Sequence, residues 1–229
     1  MLNTVMTYLT LIAPAVLTVG VIIGLKNYHK SGGKERLIII YLVLALLLEI
    51  TSRYWFLTSN HNLYILSLST FIEFAFFSIL YQKFFFIESK KWITYGLVGF
   101  SFYIVYTLIT LSINISGING SESDFNEFNL YHRLISDSVI LLLSFLYIKE
   151  TLTSESIIPL REYTTNTIII LYLIVDMFMS LTIKFMVNEN VSLVFFFWAL
   201  RLVFLLLLYV NLILTVWQNG RQQKLKQFG

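Results

Sequence analysis

The chain contains no cysteine, and only two prolines and ten glycines occur among its 229 residues. Without cysteine it forms no disulfide, no iron–sulfur cluster and no thiolate zinc site, and it has no thiol nucleophile. The scarcity of proline and glycine leaves little material for the broken helices that some transporters use. Charge is also scarce, because 13% of the residues are charged whereas an ordinary soluble domain has about 25%.

Apolar residues dominate the sequence. Hydrophobic residues make up 57% of it, and the mean hydropathy is +0.77. A compact soluble fold of this size cannot hide that much apolar surface. The composition therefore predicts an integral membrane protein and argues against a cytosolic enzyme, a nucleic-acid-binding protein or a disordered linker. The abundance of Ile, Phe, Leu and Tyr is typical of an AT-rich bacterial gene, so we expect a multi-pass protein of a bacterial inner membrane.

Seven apolar stretches are long enough to be transmembrane helices, since a helix needs about 20 residues to cross a hydrocarbon core of about 30 Å. They cover approximately residues 5–25, 37–57, 63–82, 92–114, 129–148, 165–187 and 191–217. The stretches lack a two-residue alternation, which argues against barrel strands. We therefore predict an all-α fold in which residues 1–229 form a single transmembrane domain, a bundle of seven helices.

The distribution of basic residues predicts the orientation of this bundle. Twelve of the 16 Lys and Arg residues lie on one side of the predicted membrane. They occupy residues 26–36, 83–91, 149–162 and the tail after Trp217. The loops on the other side, 58–62, 115–128 and 188–190, carry no Lys or Arg. Because cytoplasmic loops are enriched in basic residues, we place the N-terminus outside and the C-terminus inside.

Eight charged residues lie within the predicted spans. They are Arg53, Arg133, Lys184 and Arg201, with Glu49, Glu73, Asp137 and Asp176. A helical rise of about 1.5 Å per residue places the four carboxylates and Arg201 near the midplane. Each charge at that depth costs about 2.5–3.5 kcal/mol, so these side chains are expected to face the interior of the bundle and to find partners or water.

The charges in the midplane layer are unbalanced. Four carboxylates accompany the single cation Arg201 in that layer, whereas Arg133 and Lys184 lie nearer the outer rim and are interpreted as snorkelling residues. Protons, a bound cation or a cationic ligand would supply the missing positive charge. The predicted binding or protonation residues are Glu49, Glu73, Asp137 and Asp176, with Arg201 as the counter-ion. The predicted supporting residues are Arg53, His132, Tyr172, Ser180 and Lys184.

We therefore expect a non-enzymatic membrane protein with an outward-accessible acidic cavity that binds protons, a cation or a small cationic solute for transport or sensing. The sequence predicts no catalytic residue, no metal site and no cofactor, because its three histidines lie in separate segments and it has no phosphate-binding glycine loop. An oligomeric pore, or an effector that a cytoplasmic protein regulates at the basic inner face, stays an open alternative. A lipid-modifying enzyme is less favoured, because nothing identifies a nucleophile. The expected partners are membrane lipids, and nucleic acid is not among them.

Overall fold

The computed structural model describes residues 2–59, 63–86, 91–116, 122–154, 160–186 and 191–227. Seven α-helices lie within these residues, and the described residues contain no strand. The helices are α1 (Leu2–Asn27), α2 (Gly33–Ser59), α3 (Leu63–Leu80), α4 (Lys91–Ser116), α5 (Glu122–Thr153), α6 (Leu160–Met186) and α7 (Val191–Gln227). A 3-10 turn (Tyr28–Lys30) follows α1, and a π-helical turn (Tyr81–Phe85) follows α3.

Each helix overlaps one of the predicted apolar spans, so the all-helical prediction is confirmed. Four segments within the described residues are long and apolar enough to cross a membrane: Leu11–Lys30, Gly33–Trp55, Leu160–Leu181 and Phe196–Asn219. The first comprises most of α1 and the 3-10 turn after it, and the others belong to α2, α6 and α7. A helical membrane protein is the class that these features indicate. The crossing of all seven helices, and their orientation, stay predictions.

The chain forms two compact units, which we call unit 1 (residues 1–51 and 159–229) and unit 2 (residues 52–158). In unit 1, α7 packs against both α1 and α6. The ends of three helices meet at one end of this unit, because Lys34 of α2 bonds Glu162 of α6 at 2.7 Å and Asn219 of α7 bonds Glu35 of α2. The helices α2 and α6 therefore start beside each other and run antiparallel to α7. Alternating membrane crossings would give these same relative directions.

Two glycines allow α1 to approach its neighbours closely in unit 1. A Cβ atom on Gly20 would lie 2.6 Å from Cγ1 of Ile213 on α7, and one on Gly24 would lie 3.0 Å from Cγ1 of Ile39 on α2. Small residues four positions apart permit such close packing in membrane helices, where lipid supplies no hydrophobic drive for association. The Gly20–Gly24 spacing is therefore a packing feature of unit 1, and it is readable in the sequence.

In unit 2, α3 packs against α4 and α5. Two side-chain contacts show that α3 and α5 run parallel. Glu73 of α3 contacts Arg133 of α5, and eight residues later, in the π-helical turn after α3, the hydroxyl of Tyr81 is hydrogen-bonded to that of Ser144 at 2.6 Å. Tyr81 also contacts the ring of Tyr147, so an aromatic cluster closes this end of the α3–α5 interface. A segment that connects two parallel helices must run back along them. The connection between α3 and α5 contains α4.

Candidate functional site

A buried ion pair joins α6 to α7 in unit 1. The Nε–H of Arg201 donates a hydrogen bond to Oδ1 of Asp176. The Asp176 side chain is 1% exposed, whereas that of Arg201 is 28% exposed. The predicted counter-ion role of Arg201 thus has a geometric basis for one of the four carboxylates. Tyr172 and Ser180 lie one helical turn on either side of Asp176, and both are buried.

A second ion pair lies between α3 and α5 in unit 2. Nη2 of Arg133 lies 3.6 Å from Oε2 of Glu73, and both side chains are largely buried. By sequence Arg133 is interpreted as a snorkelling residue, whereas in the structure only 8% of the residue is exposed and it contacts a carboxylate. Arg133 therefore joins the candidate site. The sequence feature that could have assigned Arg133 to the site is its position four residues before Asp137, on the same face of α5.

Further polar residues of α5 surround this second pair. Asp137 and Ser136 are 4% and 1% exposed, and Ser136 stands three residues after Arg133 on the same helical face. His132 is buried, and its ring stacks on that of Tyr103 from α4, with ring planes 5° apart and centroids 5.5 Å apart. We name Glu73, Arg133, Ser136 and Asp137 the α3–α5 cluster. It holds two carboxylates and one guanidinium.

Three other predicted residues have less defined roles in the structure. Glu49 lies on α2 within unit 1, and Arg53 lies on α2 within unit 2; both are half-buried. Lys184 lies on α6, and its side chain falls outside the described residues. The described residues contain no group of three or more His, Cys, Asp or Glu side chains suited to a metal ion. The shared cavity that the sequence predicts for all these residues stays a prediction.

A polar network in unit 1 lies outside the predicted site. Near the start of α6, Nη1 of Arg161 donates to Oδ1 of Asn219 at 3.4 Å, and one turn further along α6 Nδ2 of Asn211 donates to Oγ1 of Thr165 at 2.9 Å. Asn166, beside Thr165, is fully buried. Interhelical hydrogen bonds of this kind hold membrane helices together at roughly 0.6 kcal/mol each. A search for charged residues missed this network because most of its members are uncharged.

Comparison with known proteins adds no relative to this picture. No family model, no curated protein and no solved structure matches the chain. Its candidate function therefore rests on the geometry of its own buried polar residues.

Proposed function

We propose that this chain is a non-enzymatic membrane protein that binds protons, a cation or a small cationic solute at intramembrane acidic groups and transports or senses the bound species. By composition its site of action is a bacterial inner membrane. The observation that supports the proposal most strongly is the presence of two largely buried carboxylates in the α3–α5 cluster. Glu73 contacts the guanidinium of Arg133, and Asp137 follows Arg133 by one turn of α5.

Buried carboxylates in such a place have a physical cost. A charge at the centre of a membrane costs about 2.5–3.5 kcal/mol, and it is retained mainly where it serves a binding site or an ion pathway. The Asp176–Arg201 pair of unit 1 is charge-balanced and therefore serves helix packing as readily as binding. The α3–α5 cluster is the better candidate, because it contains two largely buried carboxylates, Glu73 and Asp137.

The test is a binding assay on the purified full-length protein. The apparent melting temperature is measured from pH 5 to pH 9, and with sodium, potassium, ammonium and choline chlorides at constant ionic strength. A species that binds only the folded protein stabilises it by about 2.7 kcal/mol at 100 times its dissociation constant. We expect a saturable increase with protons or with one class of cation. The same species should then be followed in proteoliposomes, where flux indicates transport and its absence indicates sensing.

Matched variants make the test specific. Glu73→Gln and Asp137→Asn should abolish the response, whereas Glu150→Gln, a half-buried carboxylate on the same helix α5, should leave it intact. The proposal is wrong if the folded Glu73→Gln and Asp137→Asn variants respond to pH and cations like the parent chain. It is also wrong if the parent chain shows no saturable response.

A further inference from the structure

Four candidate membrane spans reach the same end of unit 1. They begin or end there at Lys30, Gly33, Leu160 and Asn219. Asn219 of α7 bonds both Glu35 of α2 and Arg161 of α6, and Lys30 ends the short turn between α1 and α2. In a membrane that these helices cross, this end therefore lies in the headgroup layer.

Basic side chains dominate this end of unit 1. Five of them belong to the described residues, and we name them the basic patch: Lys34 and Arg161, which are half-buried, and Lys26, Lys30 and Arg36, which are exposed. The two acidic residues at this end are both engaged. Glu162 pairs with Lys34 at 2.7 Å, and Glu35, which is 7% exposed, accepts a hydrogen bond from Asn219. The exposed charges among the described residues of this end are therefore all positive.

The last turns of α7 add to this charge, because Arg221, Lys224 and Lys226 follow Asn219 and no acidic residue does. Anionic phospholipids present negative charge in the headgroup layer, and each Lys or Arg near them strengthens binding about fivefold. A zwitterionic headgroup adds an ammonium group, which the basic patch repels. The depth of the patch favours a lipid over an acidic protein as its partner, since headgroups surround the ends of membrane spans.

Arg36 is the residue of the patch best arranged to bond a headgroup phosphate. Its guanidinium carbon lies 5.6 Å from the centroid of the Tyr28 ring, which belongs to the turn between α1 and α2. A ring contact uses the face of a guanidinium and leaves its N–H edge, which matches two phosphate oxygens. Lys30 ends the same turn and supplies a second charge beside that edge.

We propose that the basic patch binds an anionic phospholipid, with Arg36 as the main ligand of its phosphate and with Lys30 and Lys26 as the charges that select an anionic headgroup. This inference goes beyond the proposed function, because the patch belongs to unit 1 and uses none of the residues of the α3–α5 cluster.

The experiment measures the apparent melting temperature of the full-length protein in a neutral detergent. Phosphatidylglycerol or phosphatidylcholine with the same acyl chains is added in steps. We expect a saturable stabilisation by phosphatidylglycerol, with an apparent affinity at least about fivefold above that for phosphatidylcholine. The difference should disappear in about 1 M sodium chloride, where the screening length is about 3 Å.

Equal affinities for the two lipids would overturn the inference. A saturable stabilisation by inorganic phosphate alone that equals the effect of phosphatidylglycerol would also overturn it, because the site would then take free phosphate. Stabilisation by polyglutamate in the absence of a response to phosphatidylglycerol would identify an acidic protein as the partner and would overturn it too.

Variants test the role of Arg36. Arg36→Gln should raise the apparent dissociation constant for phosphatidylglycerol about fivefold. Arg36→Lys should raise it less, because lysine keeps the charge but loses the paired N–H groups. Lys149→Gln, at an exposed lysine of α5 in unit 2, is the matched control and should bind like the parent chain. A parent-like affinity of the folded Arg36→Gln variant, or an equal loss in Lys149→Gln, would overturn the inference.

Discussion

Removing one partner of the Asp176–Arg201 pair should cost far more than removing both. Arg201→Met leaves the Asp176 carboxylate, which is 1% exposed, without the guanidinium that compensates it. Breaking a buried ion pair in this way costs about 3–5 kcal/mol, whereas replacing both partners by apolar residues is often neutral or stabilising. Asp176→Leu should cost less than Arg201→Met, because the Arg201 side chain is 28% exposed and its long stem lets the guanidinium reach polar surroundings.

The measurement is thermal unfolding of the two single variants and the double variant in the same detergent. For a protein of this length 1 kcal/mol corresponds to roughly 2–4 °C in melting temperature. We therefore expect Arg201→Met to melt about 6–20 °C below the parent chain and the double variant to recover most of that loss. Strictly additive effects of the two substitutions would show that the pair has no coupling energy and would refute the reasoning.

Two further predictions concern packing within the units. Gly20→Ala should lower the unfolding free energy by about 1–3 kcal/mol through its clash with Ile213, and Ile213→Val should relieve part of the loss in a denaturation assay. Gly96→Ala on α4, where an added Cβ meets nothing within 4 Å, is the control and should not destabilise the protein. Tyr81→Phe should cost about 0.5–1.5 kcal/mol by removing its hydrogen bond to α5, while Tyr95→Phe at an exposed position should have no measurable effect. Equal effects of each variant and its control would contradict these assignments.

The helices were predictable because apolar runs of membrane length are an unambiguous signal, but their ends were not. The prediction starts the fifth span at residue 129, whereas α5 begins at Glu122; it ends the seventh at residue 217, whereas α7 continues to Gln227. An apolar criterion finds the segment that fits the hydrocarbon core. It does not detect polar turns that extend a helix beyond that core, where Gln, Lys and Arg are good helix formers.

The sequence identifies charged residues within the helices, but it does not identify their partners. Counting residues from a helix end predicts that Glu73 and Asp176 lie near one layer, yet it gives no information on which arginine each carboxylate meets. Arg133 illustrates the limit, because its place near the end of a span suggested a snorkelling side chain, whereas in the structure it is buried and contacts Glu73 of α3.

The polar contacts between α6 and α7 have a mechanical consequence. They occur at Arg161, Thr165 and Asp176, and so they span 15 residues of α6, or roughly 22 Å of helix. A slip of α6 by a single position would break all three contacts at once and would leave a bare carboxylate against hydrocarbon. These contacts therefore fix the register of α6 against α7. Any rearrangement that accompanies ligand binding must move the two helices together as a rigid pair.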